Sequence, residues 1–222
     1  MKLPLSNRLL ACCDFVHKGD RIADVGCDHG YLCIHLLTQG IASSAIASDV
    51  AEGPLESALR NARKYGVTNR ISFHLSNGVQ NIPRDFDTLV CAGMGADTMM
   101  SILDAAPWLK DSRYRLILQC QSKRPELRKY LYANGFAIRR EALAQDGKFI
   151  YTVMEVVYSP GESLTGAQYY ITPALLASNS PLLPTFLTHV TDGLQKTVDG
   201  LARTGGEKYE EMRHILEKLK SI

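Results

Sequence analysis

From Arg21 to Ala133, short apolar runs alternate with amphipathic ones, and that alternation limits the chain to few folds. Arg21–Val25, Ser44–Ser48, Ile71–Leu75, Asp87–Cys91 and Arg113–Gln119 read as strands. Between them, helical periodicity covers Tyr31–Leu37, Pro54–Tyr65, Asp97–Ala106 and Arg124–Ala133, with a leading helix from Leu5 to Val16. Strands separated by helices pair in parallel through crossovers. Phe136–Leu143 and Phe149–Tyr158 then follow without a helix between them, and Asp146-Gly147 marks a hairpin turn that reverses one strand. Past Ser159-Pro160-Gly161 two apolar stripes, Leu183 to Leu201 and Tyr209 to Leu219, flank Gly205-Gly206 and predict a helical hairpin. The expected organisation is an α/β domain over residues 1–160 and a coiled-coil-like hairpin over 161–222.

Composition excludes little. A 45% hydrophobic content supports a full core, and a net charge of +2 neither requires nor forbids a polyanionic partner. The six cysteines form no C-x-x-C pair, so structural zinc is not expected and no metal is assigned. Their apolar settings suit buried thiols in a reducing cytosol. Asn7 and Arg8 interrupt the N-terminal apolar run, and no uncharged stretch is long enough for a bilayer, so a cytoplasmic protein without membrane contact is expected. It is expected to be a monomer or a weak homo-oligomer.

The chemistry concentrates where strands feed helices. Asp24-Val25-Gly26-Cys27-Asp28-His29-Gly30 follows the first strand, and Gly26 and Gly30 allow close backbone approach at a helix N-terminus. The spacing is D-x-G-x-D-x-G, which departs from the dinucleotide pattern. A pyrophosphate would be repelled by Asp24 and Asp28, whereas the ammonium and sulfonium of S-adenosylmethionine would be tolerated or attracted. Asp49, followed by Val50, ends the second strand where a carboxylate can accept ribose hydroxyls. Asn77-Gly78 after the third strand suits an adenine contact or a plain turn. Ala92-Gly93-Met94-Gly95 closes the fourth strand at the carboxyl edge, where ligands collect.

Taken together, LSNRL, DVGCDHGYL, ASDVAEGPLESA, GMGADTM, LILQ and DGKFIYTVMEV resemble the bacterial tRNA (adenine-N1)-methyltransferases of the TrmK type, which act on adenine 22 in the D-arm. The resemblance runs from about residue 3 to 160. It implies a Rossmann-like class I methyltransferase sheet, mostly parallel with one antiparallel strand, carrying a C-terminal α-helical hairpin. It also implies S-adenosyl-L-methionine as cofactor and tRNA as partner. Asp24, Gly26, Asp28, His29 and Gly30 correspond to the cofactor loop, with Cys27 between them. Asp49 corresponds to the ribose acceptor, Asn77 and Gly78 to the adenine pocket, and Ala92 to Gly95 to the wall beside the methyl group. Ala96 stands where the family carries glycine, and Cys120-Gln121 where it carries proline-asparagine.

Adenine N1 already has an in-plane lone pair, so methyl transfer requires positioning more than prior deprotonation. A carboxylate near N6–H could stabilise the positive charge that develops on the base, and Asp28 is the candidate catalytic residue. Capping of the following helix is the competing role for Asp28. N1 is hidden in a paired base, so the target must be unpaired or extruded. Arg8, Lys18, Arg60, Arg63, Lys64, Lys123, Arg124, Arg128 and Lys129 are candidate RNA contacts. The alternatives are a methyltransferase acting on a small molecule or protein, and a noncatalytic S-adenosylmethionine- or RNA-binding module. A nicotinamide oxidoreductase is more distant.

Overall fold

The computed structural model describes residues 3–203 and 205–222. Seven strands form one sheet: β1 (Arg21–Val25), β2 (Ser44–Asp49), β3 (Ile71–Leu75), β4 (Thr88–Met94), β5 (Arg115–Cys120), β6 (Phe136–Asp146) and β7 (Phe149–Tyr158). Their order is β3-β2-β1-β4-β5-β7-β6, and only β7 runs against its neighbours. The order reverses between β1 and β4, so the carboxyl ends of these two strands border the crevice where open α/β sheets hold ligands.

Alternation along the central strands separates the two core layers. On β4 and β5, Leu89, Cys91, Leu116 and Leu118 pack with Met99, Leu103, Leu127 and Leu131 from α4 (Ala96–Asp104) and α5 (Arg124–Ala133). Val90 and Ile117 face the other layer, with α1 (Asn7–Cys13), α2 (Tyr31–Thr38) and α3 (Glu52–Lys64). A sheet buried on both faces reads as continuous apolar runs, which is why the sequence locates its strands well. All six cysteines are buried free thiols within these layers.

Several boundaries differ from expectation for local reasons. α1 stops at Cys13, because the amides of Phe15 and Val16 bond back three residues to Cys12 and Cys13. β5 starts at Arg115, because Asp111 accepts from the Arg113 amide and its carbonyl from Tyr114, keeping that segment in a turn. β4 continues to Met94 through a bulge between Ala92 and Met94, where Gly93 adopts φ +81°. In the β6–β7 turn, Asp146 pairs with Phe149 and Gly147 is left-handed.

The hairpin consists of α7 (Leu183–Leu201) and α8 (Glu207–Lys220), with Gly205 and Gly206 both at positive φ between them. Leu194 and Val198 share a third apolar cluster with Met212, Ile215, Leu216 and Leu219. Leu143 and Ile150 of the β6–β7 pair join this cluster, as does Leu175 of α6 (Pro173–Ala177), so the hairpin is seated against the sheet domain. Arg128 is the firmest link. It is fully buried, pairs with Glu141, and donates to the carbonyls of Tyr169 and Tyr170 at 2.9 and 2.8 Å. Thr172 donates to the other Glu141 oxygen. This corrects one sequence expectation, since Arg128 is a core cation neutralised by Glu141 and not an RNA-facing one.

Candidate active site

The loop from Gly26 to Gly30 alternates handedness, with Gly26, Asp28 and Gly30 at φ +71°, +49° and +68°. The middle aspartate therefore occupies a left-handed position that glycine would otherwise fill, and aspartate is among the few other residues that adopt it. Asp28 does not cap α2. Gly30 holds the N-cap position, and no side chain caps that helix. The Asp28 carboxylate is exposed, with one oxygen 3.6 Å from His29 Nε2.

The amides of Gly26, Cys27, Asp28 and Gly30 are engaged internally. Gly26 and Cys27 both donate to the Ser48 carbonyl, at 2.8 and 2.9 Å, and Gly30 donates to the Cys27 carbonyl at 2.8 Å. The Asp28 amide donates to Asp49 Oδ2 at 3.2 Å, and the Ala51 amide to Asp49 Oδ1 at 3.2 Å. Asp49 thus braces the loop from the neighbouring strand. Asn61 of α3 adds a bond to the His29 carbonyl.

The glycines act through proximity. A Cβ on Gly26 would stand 2.5 Å from Met94 Cε, and one on Gly30 would stand 2.9 Å from Ala58 Cβ. The first contact brings the β1 loop against the β4 loop across the switch point. The second seats α2 on α3.

Asp24, Gly26, Cys27, Asp28 and His29 line one cavity of about 220 Å³ with Ala92 and Gly93. Arg8, Leu9, Tyr31 and Leu32 complete it. Asp24 is buried, and its one side-chain partner among the described residues is the Cys33 thiol at 3.6 Å. Burial pushes its pKa from 3.8 to about 7, against a smaller lowering by that thiol. Burial, followed by the charge of Asp24, likewise raises the Cys27, Cys33 and Cys91 thiols, so none is a ready nucleophile.

The other sequence candidates lie around this cavity. Val50 is exposed just beyond Asp49. Asn77 lines a separate cavity of about 360 Å³ with Asp97, Thr98 and Ile102, and Gly78 lies against Ile102. Gly95 is the N-cap of α4 and sits close to Ser122.

Two further residues shape the wall of the loop cavity. Arg8 was expected on an RNA-binding surface, yet its guanidinium lies over Gly93 and lines the loop cavity. Gln119 is fully buried, and its Oε1 accepts from both Arg8 Nη1 (2.9 Å) and the Gly93 amide (3.0 Å). A polar residue ending an otherwise apolar strand at the carboxyl edge was the available signal. Of the basic candidates, Lys18, Arg60, Arg63, Lys64, Lys123 and Lys129 are exposed. Lys123 pairs with Asp97 at 2.7 Å, and Arg124 lies over the Phe186 ring. Among the described residues, no group of three or more His, Cys, Asp or Glu is placed to hold a metal ion, and no helix is long and apolar enough to cross a membrane.

A 3-2-1-4-5-7-6 sheet with a reversed seventh strand and an acidic loop at its switch point defines a Rossmann-like methyltransferase. The chain belongs to the methyltransferase-domain family, whose model matches residues 5–154, and it sits among the TrmK-type members. The tRNA (adenine(22)-N(1))-methyltransferase of Bacillus subtilis is 34% identical over 149 residues, spanning 66% of this chain and 63% of that protein's length. The crystal structure of the B. subtilis m1A22 tRNA methyltransferase TrmK superposes with a TM-score of 0.81 at 26% identity, covering 99% of this chain and 96% of its own. A Streptococcus pneumoniae structure solved in complex with S-adenosyl-L-methionine gives a TM-score of 0.80 at 29% identity, with 98% of each chain covered.

Proposed function

We propose that the protein transfers a methyl group from S-adenosyl-L-methionine to N1 of an adenine in tRNA, adenine 22 of the D-arm being the target. The observation that carries this reading is the chemistry of the switch-point cavity. The amides of Gly26, Cys27, Asp28 and Gly30 are bonded internally and the walls hold Asp24 and Asp28, which disfavours a pyrophosphate there and favours a cationic nucleoside. The relatives named above, and the cofactor complex of one of them, support the same reading.

The cofactor supplies an electrophilic methyl group on a positively charged sulfur. Asp24 faces its ammonium, and Asp49, already fixed by two backbone amides, has carboxylate capacity left for the ribose hydroxyls. Asn77 lines the adjoining cavity rather than the loop cavity, and is assigned to the adenine side because its neighbour Ser76 is bonded to the Asp49 carbonyl. Asp28, exposed at the cavity wall, accepts the N6–H of the target base and stabilises the charge that develops as N1 attacks. Exposed Lys123 and Lys129 beside the carboxyl edge supply phosphate contacts. The methyltransferase domain comprises residues 1–160 and the helical appendage residues 161–222, and the enzyme works in the cytoplasm.

The test is incubation with methyl-labelled cofactor and an unmodified tRNA transcript, followed by mapping of the labelled nucleotide. Label at N1 of adenine 22 is expected. Transfer to protein or small molecules with none in RNA would move the acceptor to those classes, and cofactor binding without transfer to any acceptor would leave a noncatalytic module.

A further inference from the structure

We infer that the tip of the β6–β7 strand pair is a stacking platform, on which Phe149 and Tyr151 hold a base of the RNA next to the target adenine. The inference rests on the RNA reading above and adds to it the part of the substrate that this tip receives.

Strand register places the tip. β7 pairs with β5 from Val157 to Met154, whose partner is Leu118, and its first residues run on past that pairing. Cys120, the last residue of β5, is two places beyond Leu118 and so stands level with Thr152. Phe149 lies three residues further, about 10 Å past the carboxyl end of β5. The Ala92–Gly95 loop occupies the same edge of the sheet. Phe149 is opposite Asp146 and Tyr151 opposite Ala144, so both rings share one face of the strand pair with the Asp146 carboxylate. That carboxylate is 4.0 Å from Arg8 Nε, and Arg8 lines the loop cavity, so the aromatic face is turned to the cavity's side. Asn7 Nδ2 donates to the Gln145 carbonyl at 2.9 Å, which moors the tip to the start of α1.

Among the described residues Phe149 is the one exposed Phe, Tyr or Trp, at 56%. A single exposed apolar side chain is ordinary on a protein surface. This one has two additions. The Tyr151 ring centroid is 6.2 Å away, tilted by 54°, and Lys148 Nζ is 5.3 Å from the Phe149 centroid. Lys148 has no carboxylate partner among the described residues, which leaves its charge for a phosphodiester. Ring faces for bases and a cation for the backbone between them are what a surface for unpaired RNA requires. Continuity with the loop cavity commits the platform to the molecule whose reacting base enters there. That adenine has to be freed from its own pair or stack, so its neighbour loses a stacking partner, and the Phe149 ring takes that partner's place.

The test is steady-state methylation of an unmodified tRNA transcript, with calorimetric binding of S-adenosylhomocysteine alongside. Phe149→Ala is expected to raise KM for the transcript by about 10-fold, with kcat and cofactor affinity within about 3-fold of wild type. Phe149→Leu keeps apolar bulk without a π face and should lose as much, whereas Phe149→Tyr should keep the wild-type KM. In Phe149→Trp the new indole should be quenched as transcript is added, over a constant background from Trp108, which packs on Tyr114. An unchanged KM in Phe149→Ala, a wild-type KM in Phe149→Leu, or no quenching in Phe149→Trp each overturns the inference while the function reading stands. A wild-type dimer that Phe149→Ala dissolves without a change in KM overturns it too, assigning the tip to a second copy of the chain. Failure of wild type to methylate the transcript overturns the function reading, and the quenching measurement then decides on the platform by itself.

Discussion

Asp28 combines a backbone strain with an exposed charge. At φ +49° it holds a conformation that costs an L-residue about 1 kcal/mol, and aspartate tolerates this better than most. Its carboxylate caps nothing, which leaves it available to the substrate. Asp28→Asn keeps the shape and removes the charge, so methylation of a tRNA transcript should fall by about 10²-fold while calorimetric affinity for S-adenosylhomocysteine changes little. Asp24 has a different fate because it is buried. Its native carboxyl titrates near pH 7 and its unfolded one near 3.8, so between those values the native state holds the extra proton. Stability contributed by this group is therefore lost as pH rises from about 4 to about 7, by an amount on the order of 4 kcal/mol. Asp24→Asn should match wild type in melting temperature near pH 4 and exceed it at pH 8, an outcome that thermal scans across that range will check.

At the scale of elements, the β1 loop and the β4 loop meet through Gly26 and the tip of the Met94 side chain, whose methyl would have to move to admit a Cβ. Gly26→Ala should weaken cofactor binding by about 10-fold, chiefly because it forces an alanine into a left-handed conformation and in addition displaces the Met94 methyl. Adding Met94→Ala should restore part of the affinity, and a double-mutant cycle measures that part. Periodicity in the chain located β1, β3 and α5 to the residue, because each is an apolar or amphipathic run bounded on both sides by polar or turn-forming residues. The loop candidates were equally legible from their glycines and acids. Gln119 and Arg8 were not, because their meaning comes from a contact across 111 residues that no spacing rule encodes. Half-buried Arg124 and buried Arg128 of α5 also look alike in sequence. Arg128 is distinguished by Glu141 on β6 and by the carbonyls of Tyr169 and Tyr170.

For the whole molecule, that buried pair decides how the two parts of the chain depend on each other. Arg128→Ala would leave Glu141 charged in the core, at a cost of about 3–5 kcal/mol. The variant should lose that much in chemical denaturation, and limited proteolysis should begin near residue 160, where the segment carrying Tyr169 and Tyr170 loses its anchor. Truncation at residue 160 removes both carbonyl acceptors and the Thr172 hydroxyl at once. The methyltransferase domain and its appendage should consequently melt in one calorimetric transition.

On the ribosome the same guanidinium has to wait. The sheet's last strand ends at Tyr158, but the two carbonyls that receive Arg128 and the hydroxyl that completes Glu141 emerge only with residues 169 to 172. A nascent chain that has just laid down its final strand is thus still unsealed on one face, and closure is deferred to the segment that leads into the hairpin.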